Sequence, residues 1–437
     1  MVSVLSHEEK PSPTGVGYQY EKKDAVRARR ILRDVMQDYS GPVAIRLGRD
    51  QELVGDAKAQ CTIVLKHPSA LRELILHQNL LRTAEAYVAG AIDVEGDFVS
   101  LFDLTKYFRD AHWSLPQRAH AAWDALHLPS ETTTMVRAYR AAPAARRNST
   151  KSISHHYDVG NEFYRLWLDP EMVYSCAYFR DAHQPLVEAQ RNKLDYLCRK
   201  LRLAPGQRLL DIGCGWGALV LWAAKHYGVR AHGITLSTQQ YEHANARVSA
   251  EGVRDQVTVE LRDYRNLPKD AHYDRVVSVG MFEHIGVRNF DEYFQTVKRV
   301  LKRGGLFLNH GISNDAGWRR TPLTRFINRY IFPDGELTRI SDVCGAMERA
   351  GFELLDVESL RRHYALTLER WLETLEAKEF EATKVTNDAL FRLWRLYLAG
   401  SAYYFGEGSL NVYQVLAGSS RSSLATPLTR DDLYVPH

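Results

Sequence analysis

Residues 207–217 read Gln207-Arg208-Leu209-Leu210-Asp211-Ile212-Gly213-Cys214-Gly215-Trp216-Gly217, and this stretch decides the fold. A short apolar run ends in an acid and then in Gly-x-Gly-x-Gly. Glycines so spaced let the backbone turn sharply and approach a ligand at the mouth of a first βα unit. Ala218 to Tyr227 has helical spacing, and Val229 to Ile234 reads as a second apolar strand. Further strands are expected at Val257 to Leu261, Arg275 to Val279 and Gly305 to Leu308, separated by helical stretches. A helix from about Leu186 to Leu201 leads in, and Leu410 to Leu416 reads as one more strand, at the sheet's end. Apolar strands alternating with helices predict an α/β fold, a doubly wound, mostly parallel Rossmann-like sheet.

Upstream the pattern changes. From Asp24 to Tyr107, strand-like runs (Pro42 to Leu47, Cys61 to Leu65) alternate with helices starting at Ser69 and spanning Arg82 to Val88. Ala89 to Val94 reads as a turn. This is a smaller N-terminal α+β domain. The expected boundaries are a flexible N-terminus over 1–20, the small domain over 21–136 and a linker over 137–151. A catalytic domain over 152–425 and a tail over 426–437 complete the chain. The linker carries Arg137, Arg140, Arg146, Arg147 and Lys151 and no acid; a solvated loop and an anionic-lipid contact both fit.

Composition narrows the class. Of 437 residues, 45% are apolar and 25% charged, ordinary for a soluble globular protein of this length. No apolar stretch is long enough to span a bilayer, and the N-terminus has no signal-type segment, so a cytoplasmic location is expected. Five cysteines lie scattered without C-x-x-C spacing, which predicts free thiols and no metal site. A net charge of +4 does not mark a nucleic-acid binder.

The charge at the turn selects the ligand. Asp211, just before the first glycine, would repel a pyrophosphate but suits a ligand with an amino group and a sulfonium. Dinucleotide sites place an acid about 20 residues on for the ribose hydroxyls. Here the second strand ends Gly233-Ile234-Thr235-Leu236-Ser237-Thr238-Gln239-Gln240, without a carboxylate. Thr235, Ser237 and Gln240 must do that work. Asp263 and Tyr264, after the third strand, are placed for an adenine. S-adenosylmethionine fits this set, with Gly213, Gly215 and Gly217 forming the turn.

Four further segments join the glycine turn: His155-His156-Tyr157-Asp158-Val159-Gly160-Asn161, Tyr174-Ser175-Cys176-Ala177-Tyr178-Phe179, Gly233 to Gln240, and Ser278-Val279-Gly280-Met281-Phe282-Glu283-His284-Ile285-Gly286. In this order they resemble the cyclopropane fatty acid synthases and the related mycolic acid methyltransferases, over about Lys151 to Gly418. The resemblance implies transfer of a one-carbon unit from S-adenosylmethionine to an acyl-chain double bond, through a carbocation deprotonated by bound bicarbonate. The matching positions are Cys176, Glu283, His310, Ile312 and Tyr364. Cys176 and Ile312 would offer backbone groups; His310 and Tyr364 would donate to the anion, and Glu283 would orient it. The resemblance adds Tyr174, Ser175 and Tyr157 to the cofactor set, with His155 and Asp158 shaping the pocket. Rings of Phe179, Phe282, Tyr330 and Phe332 serve equally as cation-facing rings or as core.

Leu323, Phe326, Ile327, Tyr330 and Ile331 fall on one helical face, with Arg319, Arg320, Arg325 and Arg329 nearby. Peripheral contact with an anionic membrane and a cap over the active site both fit that pattern. The expected partners are unsaturated phospholipid acyl chains, with no nucleic acid, and a homodimer is left open. Cyclopropanation, methyl or methylene branching, and idle lipid binding are the functions weighed; the five anion positions argue against the last.

Overall fold

In the N-terminal unit, helix Lys22–Met36 buries Ala28, Ile31, Leu32 and Val35, the stripe of one helix face. This computed structural model describes residues 21–48, 53–56, 58–77, 80–110, 113–129, 160–270, 272–317, 322–332, 335–419 and 426–434. It divides into two units, residues 1–142 and 143–437. Strands β1 (Val43–Leu47), β2 (Leu53–Val54), β3 (Cys61–Leu65) and β4 (Ile92–Gly96) form one sheet, ordered β2-β1-β3-β4. Helices Pro68–His77 and Leu80–Val88 connect β3 to β4. One expectation fails here. The turn closes at Gly90 (φ 81°), and the chain from Ile92 is already a strand paired antiparallel with β3. Ile92 and Val94 are buried and Asp93 between them is not, a strand period hidden in a short segment. The linker over 137–151 and the first 20 residues lie outside the described residues.

The second unit holds β5 (Arg208–Ile212), β6 (Arg230–Thr235), β7 (Val257–Leu261), β8 (Tyr273–Val279), β9 (Leu301–Asn314), β10 (Phe352–Ser359) and β11 (Leu410–Ser419). Their order is β10-β11-β9-β8-β5-β6-β7. The pairs from β7 to β9 are all parallel, while β11 runs antiparallel to both neighbours. The predicted α/β class with a largely parallel sheet is the observed one. Two details differ. β11 is not at the sheet's end; it is inserted between β9 and β10. The edge strand β10 was missed because Glu353, Asp356 and Glu358 break up its apolar pattern. β9 also continues to Asn314, past the expected end at Leu308.

Strand alternation then assigns faces. Leu209, Leu306, Leu308 and Leu416 enter the core under helices Leu186–Lys200, Ala218–Tyr227 and Thr238–Ala250. Leu210, Ile212, Phe307 and Val415 enter the opposite core under Phe290–Val300 and Ile340–Arg349. With a period of two, Asp211, His310, Ile312 and Gln414 fall on the first face. Helices Arg361–Ala377, Glu379–Val385 and Asp388–Glu407 lie between β10 and β11 in the chain. The tail docks: Leu433 is buried, Arg202 Nε lies 3.2 Å from Asp432 and Arg430 Nη2 lies 3.1 Å from Asp356. Among the described residues, no helix is long and apolar enough to cross a membrane, and no acid, His and Cys cluster is placed to hold a metal.

Candidate active site

The chain leaves β5 through three glycines with positive φ, each with its own reason. A Cβ at Gly213 would come within 2.8 Å of Met281 Cβ, and one at Gly217 within 3.0 Å of Ala244 Cβ. Those two serve close packing. Gly215, at φ 55°, would point a Cβ at nothing within 4 Å. It faces open space, a cavity of about 1020 Å³. Asp211, Gly213, Gly215, Tyr174, Ser175, Thr235, Gln240, Asp263 and Tyr264 all line that cavity. Gly217 and Ser237 are not among its lining residues.

The polar groups differ in how far the protein already satisfies them. Thr235 Oγ1 donates to Gln240 Oε1 at 2.7 Å and accepts from Ser237 N at 3.2 Å. Ser237 Oγ accepts from Gln240 N at 3.4 Å, which makes it the cap of helix Thr238–Ala250. Asp263 accepts from Arg265 Nε and N, both at 3.0 Å. Burial opposes its charge, but these bonds hold its carboxyl below the ordinary value. Asp211 is different. It is buried, and no protein donor reaches its Oδ1. Burial pushes its carboxyl well above the usual range, opposed by Lys193. Tyr157, with His155 and Asp158, lies outside the described residues. Asn161 Oδ1 accepts from Trp216 Nε1 at 2.7 Å, tying the start of helix Asn161–Trp167 to the glycine turn.

The five positions that the resemblance assigns to an anion come from distant stretches and are linked through the backbone around β9 and β11, and none of them is among the residues lining the cavity. Gly311 has the Phe282 ring against it, so that a Cβ there would come within 2.3 Å of the ring. This close approach lets Glu283 Oε1 accept from Ile312 N at 2.6 Å. Glu283 Oε2 is buried without a protein partner, and burial raises the carboxyl to about 7 against its backbone hydrogen bonds. Two residues back on the same strand, His310 is 1% exposed, and Gln414 Nε2 lies 3.2 Å from its Nδ1. With Gln414 donating, Nδ1 accepts and the proton sits on Nε2, which has no protein partner. Burial, then Lys193 and Lys200, lower the imidazole to about 3, so it stays neutral at working pH. Val412 pairs with Ile312, its carbonyl accepts from Leu360 N at 2.8 Å, and Leu360 O accepts from Tyr364 N at 3.0 Å. The Cys176 thiol, 3.8 Å from the same Leu360 oxygen, is pushed up by burial and stays protonated.

Sequence reasoning missed three parts. Lys193 is buried on the wall beside Asp211; its signal was a lysine on the apolar face of a predicted helix. Gly311 was a glycine inside a strand. The third is an aromatic wall. Trp371 stands 5.3 Å from Tyr174 and 6.1 Å from Tyr364, with Trp167 and Trp394 behind, so rings connect the two residue sets. The rings named from sequence are elsewhere: Phe179 packs with Ala177 and Ala189, and Phe282 lies in the second core. Tyr330 packs tilted against Phe326 at 5.2 Å, and Phe332 meets Tyr397 at 5.7 Å.

A glycine turn after the first strand, a buried acid before it and a largely parallel sheet together define an S-adenosylmethionine-dependent methyltransferase. Within that class, the family model described as mycolic acid cyclopropane synthetase matches residues 144–415, and the chain belongs to that family. A probable fatty acid methyltransferase of Pseudomonas putida is 39% identical over 409 residues, 92% of this chain and 99% of that protein. The cyclopropane-fatty-acyl-phospholipid synthase of Escherichia coli K12 is 41% identical over 263 residues, 60% of this chain and 66% of that protein. The solved structure of mycolic acid cyclopropane synthase CmaA1, complexed with SAH and CTAB, aligns with a TM-score of 0.59 and 34% identity. That alignment covers 62% of this chain and 99% of the solved one.

Proposed function

We propose that the protein transfers the one-carbon unit of S-adenosylmethionine to the double bond of an unsaturated phospholipid acyl chain and closes a cyclopropane ring. One observation carries this reading: Glu283 Oε2 and His310 Nε2 are both buried without a protein partner, and with Gln414 donating to Nδ1 the first is an acceptor and the second a donor. Left so, each costs about 1–3 kcal/mol. A bicarbonate ion, with one O–H and anionic oxygens, fits that pair. S-adenosylmethionine supplies the electrophilic methyl group, and bicarbonate supplies the base for the alkylated chain.

The chain's own residues do the rest. Asp211, Ser175, Thr235, Gln240, Asp263 and Tyr264 bind the cofactor, with Gly215 leaving room for it. Ile312 N holds Glu283 in place, and Gln414 fixes the His310 tautomer. The family resemblance adds Tyr364 and the backbone at Cys176 to the surroundings of the bicarbonate. The ring of Tyr174 at the cavity wall, with Trp371 packed behind it, favours a cation and excludes water. A second reading, methyl or methylene branching, is favoured by the name of the Pseudomonas putida relative. It needs the same cation and differs in which proton leaves. Mass spectrometry and proton NMR of lipids from expressing cells test the proposal. Acyl chains one CH2 heavier, with upfield ring protons and no alkene, are expected. Heavier chains that keep an alkene would establish branching instead, and unchanged lipids would overturn both readings.

Membrane contact belongs to the same proposal. Helix Pro322–Tyr330 turns Phe326 inward and leaves Arg325 and Arg329 exposed at the cavity wall. The cap and the lipid contact are then compatible. Arg325→Gln with Arg329→Gln is expected to weaken binding to anionic vesicles by roughly 1 kcal/mol per charge at low salt. Identical wild-type co-sedimentation with neutral and anionic vesicles, at low and high salt, would remove the idea.

A further inference from the structure

Helix Leu186–Lys200 turns Ala189, Gln190, Lys193, Leu194 and Leu197 inward, the stripe of a helix packed on a sheet. Two of the five are polar, and both grip one segment. Gln190 Nε2 donates to the carbonyls of Val173 at 3.3 Å and Ser175 at 2.9 Å. One turn on, Lys193, 2% exposed, places Nζ 2.9 Å from Ser175 Oγ. Asp169 holds the start of the segment, accepting from the N–H of Glu171 and of Val173, each at 2.9 Å. Thus residues 173–175, part of the cavity wall, are fixed largely by one helix.

A buried ammonium needs a facing charge as well as a hydroxyl. Lys193 and Asp211 line the same cavity, and one Asp211 oxygen has no protein donor. We propose that Lys193 is a positioning residue for the cofactor: it fixes the Ser175 hydroxyl at the cavity wall and supplies the buried positive charge opposite Asp211. The free Asp211 oxygen is then left for the cationic end of S-adenosylmethionine. This rests on the reading that the cavity holds that cofactor. Burial drives the Asp211 carboxyl up, and Lys193 pulls it back. Burial lowers Lys193 in turn, opposed by Asp169, Cys176, Asp211 and Glu171. On β9, His310 feels the same ammonium and stays neutral.

The sign of the pH effect follows. The anion of Asp211 is the binding form, so cofactor affinity falls as pH drops through its titration. Without Lys193 that titration moves up, and the loss sets in at higher pH. Calorimetric titration of full-length wild type, Lys193→Met and Lys193→Arg with S-adenosylmethionine across pH tests this. Lys193→Met is expected to bind about 10-fold or more weakly at neutral pH, with its midpoint displaced upward, as for loss of a charged hydrogen bond. Lys193→Arg should restore the midpoint without restoring full affinity, because its fork does not reproduce a single Nζ contact. A Lys193→Met protein with the wild-type midpoint overturns the proposal, since a merely structural role weakens binding without moving it. Should that variant not fold, Ser175→Ala removes only the anchored hydroxyl: a roughly 3- to 10-fold loss supports the proposal, and unchanged affinity overturns it. Wild type that binds no S-adenosylmethionine would instead sink the cofactor reading itself.

Discussion

Glu283→Gln and His310→Gln are each expected to keep S-adenosylmethionine affinity and to lose turnover by about 10²-fold or more, the range of general acid–base effects. The geometry gives the reason. In Glu283→Gln the amide would keep an oxygen for Ile312 N but place an NH2 group where Oε2 now waits for a proton donor. His310→Gln would remove the unpartnered ring Nε2, which carries the proton when Gln414 donates to Nδ1. Because burial raises Glu283 to about 7, its ionised form predominates only above that pH. With S-adenosylmethionine held saturating at every pH, so that the Asp211 titration does not enter, wild-type turnover should therefore fall as pH drops below about 7, and the residual activity of Glu283→Gln should lack that fall. The bicarbonate–carbon dioxide equilibrium is common to both proteins and cancels in the comparison. Added bicarbonate should partly rescue variants whose anion site is only weakened. Turnover near wild type in both variants, with bicarbonate rigorously removed, would place the base elsewhere.

Gly215→Val should abolish cofactor binding, weakening it by about 100-fold or more (~2.8 kcal/mol), while leaving the fold intact. A side chain there meets no protein atom within 4 Å; it would stand in the cavity instead. The residue also sits at φ 55°, so part of any effect is backbone strain, roughly 1–2 kcal/mol for a residue with a Cβ. Gly206 separates the two causes. It has φ 79°, open space around its Cβ and an exposed position, and it is not among the cavity's lining residues. Gly206→Val should show similar destabilisation in a thermal melt and wild-type affinity by calorimetry. Equal affinity of Gly215→Val and wild type would count against the site.

Much of this site is written in consecutive residues. The glycine spacing, the preceding acid and the hydroxyl-rich end of β6 are local features, and the cavity gathers most of them. Ser237 and Gly217 were also local signals, yet the structure uses them for capping and close packing. A hydroxyl at the start of a helix satisfies a backbone N–H as readily as a ligand. Spacing alone does not say which.

The position of most strands along the chain, the largely parallel class and the turn at Gly213 to Gly217 were determined by the sequence itself, because strand period and positive φ are requirements of neighbouring residues. The place of β11 between β9 and β10 was decided by tertiary structure, since pairing partners are chosen by buried faces and not by chain position. From that insertion follows the Gln414 contact with His310 Nδ1, across 104 residues. Lys193 makes the same point in charge. Helical spacing puts it on an apolar face but names no partner; only the folded sheet brings Asp211 and Ser175 to face it, where a low-dielectric wall makes each charge depend on the other.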